Sequence, residues 1–372
     1  GVSERSWRWL WLQCPGIGSA RMRQLCSAAA QAPQGFQELW SWPLSKLHKE
    51  FAWPASVLSS LERYRASIGL RPCIEVPVDV LLPCDPEWPA GFERLERPPL
   101  SIQWRGRRRL LSLLSLQQAV AVVGTRRPSN HGLRMADKLG RALAQAHWPV
   151  VSGLAEGIDA AAHRACLQAG GSPVAVLGTP LHRVYPPEHR ALQHEVAQAG
   201  LLITELRDSE RVTRSSFALR NRLLVAVTKA VVVVECPENS GALRSAAMAR
   251  SLGIPVWVVP GDALRESSQG SNALLQSGAL PLINTQALMD QLGAGPCVSS
   301  FGQGDASALQ SKKPQTSDPV QTHLLKLVDD DSSFDEMVQA LQSNPERVAA
   351  ELLKLELEGL VVAQPGLRWR SL

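Results

Sequence analysis

Continuous apolar runs, rather than alternating ones, mark the middle of this 372-residue chain. Segments 119–123, 149–152, 174–178, 201–204, 231–235 and 255–259 are rich in valine, alanine and leucine. They alternate with stretches near 130–146, 157–169, 187–199, 218–229 and 241–251 that read as helices. Strands that are apolar on both faces belong to a parallel sheet covered on both sides. The pattern therefore predicts an α/β fold, a Rossmann-like, doubly wound and mostly parallel sheet whose ligands bind at the carboxyl ends of the strands.

The flanks follow other patterns. Residues 1–70 hold six of the eleven tryptophans, with Leu10, Leu12, Leu25, Phe36, Leu39, Leu47 and Leu58 at irregular helical spacing, and predict a small helical domain. Its segment Cys14-Pro15-Gly16-Ile17-Gly18, followed by a helix at 19–30, resembles the hairpin of helix-hairpin-helix modules; a plain turn between helices is the alternative reading. A proline-rich, extended connector at 71–99 leads into the sheet, giving a central domain over 71–292. Residues 293–318 turn to Gly, Ser, Gln, Lys and Pro and predict a linker. Beyond it, 319–372 predict a winged helix: helices at 320–329 and 345–358, a capped segment at 331–341 and two short strands. Four glutamates against Arg347 and Lys354 on 345–358 favour protein contact or a structural role over duplex reading for this module.

The chemistry concentrates where strands end. Val123 runs into Gly124-Thr125-Arg126-Arg127-Pro128, and Val151 into Ser152-Gly153 and on to Gly157. Arg220-Asn221-Arg222 lie near the start of a helix, and Ser240-Gly241 follow the strand at 231–235. Small residues between strand and helix leave backbone N–H groups aimed at one place, which suits phosphate. Each turn also has a structural reading. Gly153 and Gly157 can simply permit tight turns, and Arg220 or Arg222 can pair with Glu205 or Glu235. Phe217 reads either as a platform for a stacked base or as a core residue. Asp159 and His163, four apart on one helix face, are expected to cap and pack, since no third ligand stands at metal-binding spacing.

Composition narrows the options. The net charge of +5 is modest, but 31 of the 39 basic residues are arginine, which forms bidentate contacts to phosphate and stacks on bases; a G+C-rich genome would produce the same bias. Seven cysteines, none in a CxxC pair, predict neither zinc nor a disulfide framework. No apolar run reaches 18 residues, so a cytoplasmic location and no membrane partner are expected. GxGxxG, GxxxxGK[ST], GxSxG and HExxH are all absent, which removes the usual signatures of dinucleotide, P-loop, serine-hydrolase and zinc-protease chemistry.

Taken together, VGTRRPSNHG at 123–132, SGLAEGIDAAAH at 152–163, AVLGTPLHRVYP at 175–186, FALRNRLLVAVTKAVVVVE at 217–235, SGAL at 240–243 and VPG at 259–261 closely resemble the DprA (Smf) family, the DNA-processing proteins of natural transformation. The resemblance extends to 85–106 and 352–369; Pro180, His182, Arg244-Ser245 and Gly253-Ile254 depart from the pattern. It implies a small N-terminal domain of SAM or helix-hairpin-helix type. It also implies a non-enzymatic, cofactor-free protein, usually a homodimer, that binds and protects incoming single-stranded DNA and loads the RecA recombinase during competence. Carried over residue by residue, Gly124, Thr125, Arg126, Ser152, Gly153, Gly157, Arg220, Asn221, Arg222, Ser240 and Gly241 match the pocket motif. Arg127 adjoins it, Phe217 matches its aromatic and Arg214 extends the groove. A nucleotide-processing enzyme of phosphoribohydrolase type is the competing reading, although its PGGxGTxxE string is missing.

Overall fold

The valine-rich runs form the centre of a nine-stranded sheet. A computed structural model describes residues 3–69, 72–297, 318–330, 332–357, 360–364 and 367–371. By internal contacts the chain divides into two units, Gly1–Val298 and Ser299–Leu372.

Five helices open the first unit: α1 Glu4–Gln13, α2 Ser19–Ala29, α3 Gly35–Ser41, α4 Leu44–Phe51 and α5 Ala55–Ile68. They surround Trp11, which is fully buried, donates its indole N–H to the Phe36 carbonyl at 3.1 Å and meets Trp40 edge-on at 5.3 Å between ring centroids. The extended connector at 71–99 packs on its neighbours and carries short regular elements. Within it lie β1, Val80–Leu81, and a 3₁₀ turn at Ala90–Arg94, while Val80 and Leu82 enter the core of the helical bundle. An Arg5–Asp85 ion pair at 2.8 Å and an Arg207 hydrogen bond to the Leu12 carbonyl at 2.6 Å further tie bundle to sheet.

The elements then run β2 Ile102–Gly106, α6 Arg109–Ser115, β3 Val120–Val123, α7 Asn130–Gln145, β4 Val150–Ser152, α8 Ile158–Gln168, β5 Pro173–Leu177, α9 Arg190–Ala199 and β6 Leu201–Thr204. They continue α10 Arg214–Ala226, β7 Ala230–Val233, α11 Gly241–Ser251, β8 Val256–Val258, α12 Gln269–Gln276, β9 Leu280–Pro281 and α13 Thr285–Leu292. The sheet order is β1-β2-β6-β5-β4-β3-β7-β8-β9, parallel from β6 to β9 and antiparallel where β1 and β2 join. From β3 the chain steps outward through β4, β5 and β6, then returns to place β7 on the other side of β3. That reversal is the switch point at which doubly wound sheets bind ligands.

Alternate residues of each central strand serve opposite faces. Ala121, Val123, Val231 and Val233 pack with Leu223 and Leu224 of α10; Val120, Val122, Ala230 and Val232 pack with Leu139 and Leu143 of α7. Both faces are covered, so the strands are apolar throughout. Helix α10 begins four residues before the expected 218, because Thr213 and Ser216 form a reciprocal capping box at its start. Among the described residues no helix is long and apolar enough to cross a membrane.

The predicted linker, 293–318, begins later than its composition indicates. Gly295 and Cys297 donate their N–H groups to the carbonyls of Ala146 and His147, and Trp148 donates its indole N–H to Gly293. The remainder, 298–317, lies outside the described residues. In the second unit, α14 Pro319–Asp329, α15 Phe334–Ala340 and α16 Pro345–Leu357 precede a wing of antiparallel β10 Val361–Gln364 and β11 Arg368–Ser371. Leu324, Met337, Val348, Leu352, Leu355 and Val361 form its core, and a Ser333–Glu336 capping box starts α15.

Trp11→Ala removes a fully buried indole together with its hydrogen bond to the Phe36 carbonyl. It should cost about 3–5 kcal/mol, read as a lower urea midpoint at unchanged slope.

Candidate nucleic-acid interface

The turn after β3 is built by hydrogen bonds that leave its side chains outside. Thr125 N–H donates to the Glu235 carbonyl at 2.8 Å, the Thr125 carbonyl accepts from Ile158 N–H at 3.2 Å, and Thr125 Oγ1 accepts from Arg127 N–H at 3.1 Å. With the backbone thus held between α8 and the end of β7, Arg126 and Arg127 stand exposed. A side chain at Gly124 would stand 2.6 Å from Ile158 Cγ1, and Gly157, at φ +79°, lies against the Thr125 and Arg126 backbone. Only glycine fits that close approach.

A cleft of 680 Å³ opens over this turn at the switch point. Of the residues singled out in the sequence, Gly124, Thr125, Arg126, Arg127, Arg214, Phe217, Arg220, Asn221, Ser240 and Gly241 line it. Ser240 accepts from Ala242 N–H at 3.2 Å and so caps α11 at the cleft wall. Opposite, Arg214 lies exposed in the first turn of α10.

Four of the expected contacts stand behind the cleft surface. The Ser152 hydroxyl is fully buried and donates to the Val122 carbonyl at 2.6 Å. Gly153 is enclosed, its N–H given to Asp159 Oδ2 at 3.0 Å and its carbonyl to Arg220 at 2.6 Å. Gly157 shapes the turn, as above. Arg222 is clamped in a bidentate pair with Glu205, at 2.6 and 2.8 Å, which is the structural alternative its sequence left open. A guanidinium with both Nη atoms held this way braces α10 against the end of β6 and does not face the cleft.

Arg220 is different again. It lines the cleft floor yet is 7% exposed, and its Nη1 donates to the carbonyls of Gly153 and Val176 at 2.6 and 2.7 Å while Nε donates to Asn221 Oδ1 at 3.1 Å. Burial pushes its pKa down, and the nearby Asp159 carboxylate opposes that shift. Burial likewise raises Asp159, with Arg220 and the Gly153 N–H opposing. Each charge is sustained by the other and by backbone dipoles.

Of the three carboxylates near strand ends, Glu156 is exposed, whereas Glu205 and Glu235 are engaged elsewhere. Glu205 holds Arg222, and buried Glu235 accepts from Ser129 N–H at 3.0 Å, the Ser129 hydroxyl at 2.6 Å and the Ser267 hydroxyl. Sequence reading missed Glu266, Ser267 and Ser245 on the cleft wall. Glu266 and Ser267 belong to a 3₁₀ turn at Glu266–Ser268 that no strand end announces. Among the described residues no cluster of three His, Cys, Asp or Glu could hold a metal ion, and all seven cysteines are free.

The arrangement offers exposed cations around a polar cleft, which is the chemistry of a phosphate-backbone site. Comparison with known proteins points the same way. A family model described as DNA recombination-mediator protein A matches residues 79–293, and one for the DprA winged helix domain matches 308–366. Protein Smf of Synechocystis sp. is 29% identical over 99% of both chains. A putative DNA processing protein DprA of Mycobacterium tuberculosis is 35% identical over 79% of this chain and 77% of its own. The X-ray structure of DprA from Streptococcus pneumoniae superposes with a TM-score of 0.64 at 25% identity, covering 77% of this chain and 97% of that one. A Helicobacter pylori DprA structure, described for its single-stranded DNA binding mode, superposes at 0.50 with 32% identity over 55% and 92%.

Below the cleft, fully buried His163 donates its Nε2–H to the Val174 carbonyl at 3.1 Å, and burial pushes its pKa down from 6.5 to about 4. The folded state thus binds fewer protons, so its stability is complete above the unfolded value and falls with pH through the 6.5-to-4 window. At pH 5 this one group should cost about 2 kcal/mol relative to pH 8, and His163→Gln should lose less between those pH values by urea unfolding.

Proposed function

The chain belongs to the DNA recombination-mediator protein A (DprA/Smf) family, and from that membership we propose that its switch-point cleft binds single-stranded DNA without sequence preference. The observation that carries the reading is the exposure of Arg126, Arg127 and Arg214 around one cleft, where they outnumber the single exposed carboxylate that lines it, Glu266, while Glu205 and Glu235 are bonded inward. Arg126 and Arg214 meet the phosphates, while Gly124, Thr125, Ser240 and Gly241 offer backbone and hydroxyl groups to them. Asn221 faces the same space, and Arg220 supplies a fixed positive floor. Ser152, Gly153, Gly157 and Arg222 hold this surface in shape.

The protein binds rather than turns over its ligand. Asp159 and His163, the pair whose spacing resembles an acid/base couple, are both buried and hydrogen-bonded to backbone groups, Asp159 to Gly153 N–H and His163 to Val174. In the cell the strand so held is shielded and passed to RecA, by a homodimer acting in the cytoplasm during transformation or recombination. The description of the Helicobacter pylori relative as a single-stranded DNA binder supports the first part of that sequence of events.

Titration of oligo-dT at two salt concentrations should give a steep fall in affinity with salt. Arg126→Ala should weaken binding and reduce the slope of log K against log salt by about 0.7, the value of one phosphate contact on a single strand. Arg222→Ala should leave the slope unchanged while lowering the unfolding midpoint. Release of free base from nucleoside monophosphates by the wild-type protein would instead indicate an enzyme.

A further inference from the structure

Tyr185 lies outside the residues that line the cleft, yet its ring meets one that does. The Tyr185 and Phe217 centroids are 4.9 Å apart with planes inclined by 47°. Phe217 is half-buried, whereas Tyr185 is 49% exposed. The chain's other tyrosine, Tyr64, is held within the helical bundle by a hydrogen bond to the Leu10 carbonyl.

The position of each ring is set by its surroundings. A Cβ on Gly178, just beyond β5, would stand 2.6 Å from Phe217 Cδ1, so the missing side chain is what lets Phe217 settle against the strand end. The loop that carries Tyr185 is tied down on both sides. The Arg183 carbonyl accepts from Thr179 Oγ1 and from Gln193 Nε2, both at 3.2 Å, and His189 Nδ1 bonds the Leu154 carbonyl at 2.8 Å. An aromatic surface held in place before its ligand arrives avoids the ordering cost that a free side chain would carry. Exposed Arg183 and Arg214 flank the two rings in sequence, which suits a ligand that combines flat apolar groups with anionic ones.

We propose that Tyr185 and Phe217 form a base-stacking subsite at the mouth of the cleft, taking an unpaired base of a strand whose phosphates lie against Arg126 and Arg214. The proposal rests on the single-strand reading given above. Phe217 takes part in both cleft and subsite; Tyr185 belongs to the subsite alone. Stacking needs only a π-face, so the subsite adds affinity without adding sequence preference.

The test compares oligo-dT with an abasic oligonucleotide of equal length and charge, for wild type, Tyr185→Ala and Tyr185→Phe at one fixed salt, with the salt slope measured on oligo-dT. Tyr185→Ala should bind oligo-dT at least about fivefold more weakly and bind the abasic strand as wild type does, its salt slope unchanged. Tyr185→Phe should bind both strands like wild type. Equal oligo-dT affinity in Tyr185→Ala, or an equal loss on both strands, overturns the subsite while leaving the phosphate reading intact. Failure of the wild-type protein to bind either strand at low salt overturns both.

Discussion

The guanidinium of Arg220 lies under the cleft and donates to carbonyls at the ends of two strands, Gly153 after β4 and Val176 in β5, while Asn221 accepts from its Nε. These bonds fix the height of α10 above the sheet, and therefore the places of Arg214, Phe217 and Asn221 on the same helix. They also fix Gly153, whose N–H in turn holds Asp159 at the start of α8. A Cβ on Gly153 would stand 2.6 Å from Arg220 Cζ, so the seat of this arginine requires glycine at 153. A buried cation without its bonds would be costly, which makes the cleft floor an all-or-none arrangement.

The central sheet was legible because strands covered on both faces carry an unbroken apolar signal, as β3 and β7 do. Strand β2 was not, since Gln103, Arg105 and Gly106 break that signal and its antiparallel partner β6 is nearly a hundred residues away. In the cleft, sequence brought forward the residues that stand next to strand ends. It could not separate those that face a ligand from those that brace it. Arg220 and Arg222 look alike two positions apart, yet the helix directs one under the cleft and the other to Glu205. Glu266 and Ser267 arrive from a 3₁₀ turn far along the chain, and only the closure of the fold brings them to Glu235 and the wall.

Charge is sorted by depth in this site. Glu235 gathers three donors from Ser129 and Ser267, so its negative charge is satisfied from within, and it joins the start of α7 to the turn before α12. Glu205 is neutralised by Arg222. The exposed arginines Arg126, Arg127 and Arg214 thus outnumber the one exposed carboxylate that lines the cleft, Glu266, and the attraction they exert on a polyanion is correspondingly sensitive to screening by salt.

Both edges of the nine-stranded sheet are strands of two residues, β1 at Val80–Leu81 and β9 at Leu280–Pro281. Pro281 has no N–H to give, and Val80 and Leu81 are buried. An incoming extended segment therefore finds little ladder to add to. For the nine-stranded sheet, protection against edge-to-edge growth thus lies in the shortness of its outermost strands.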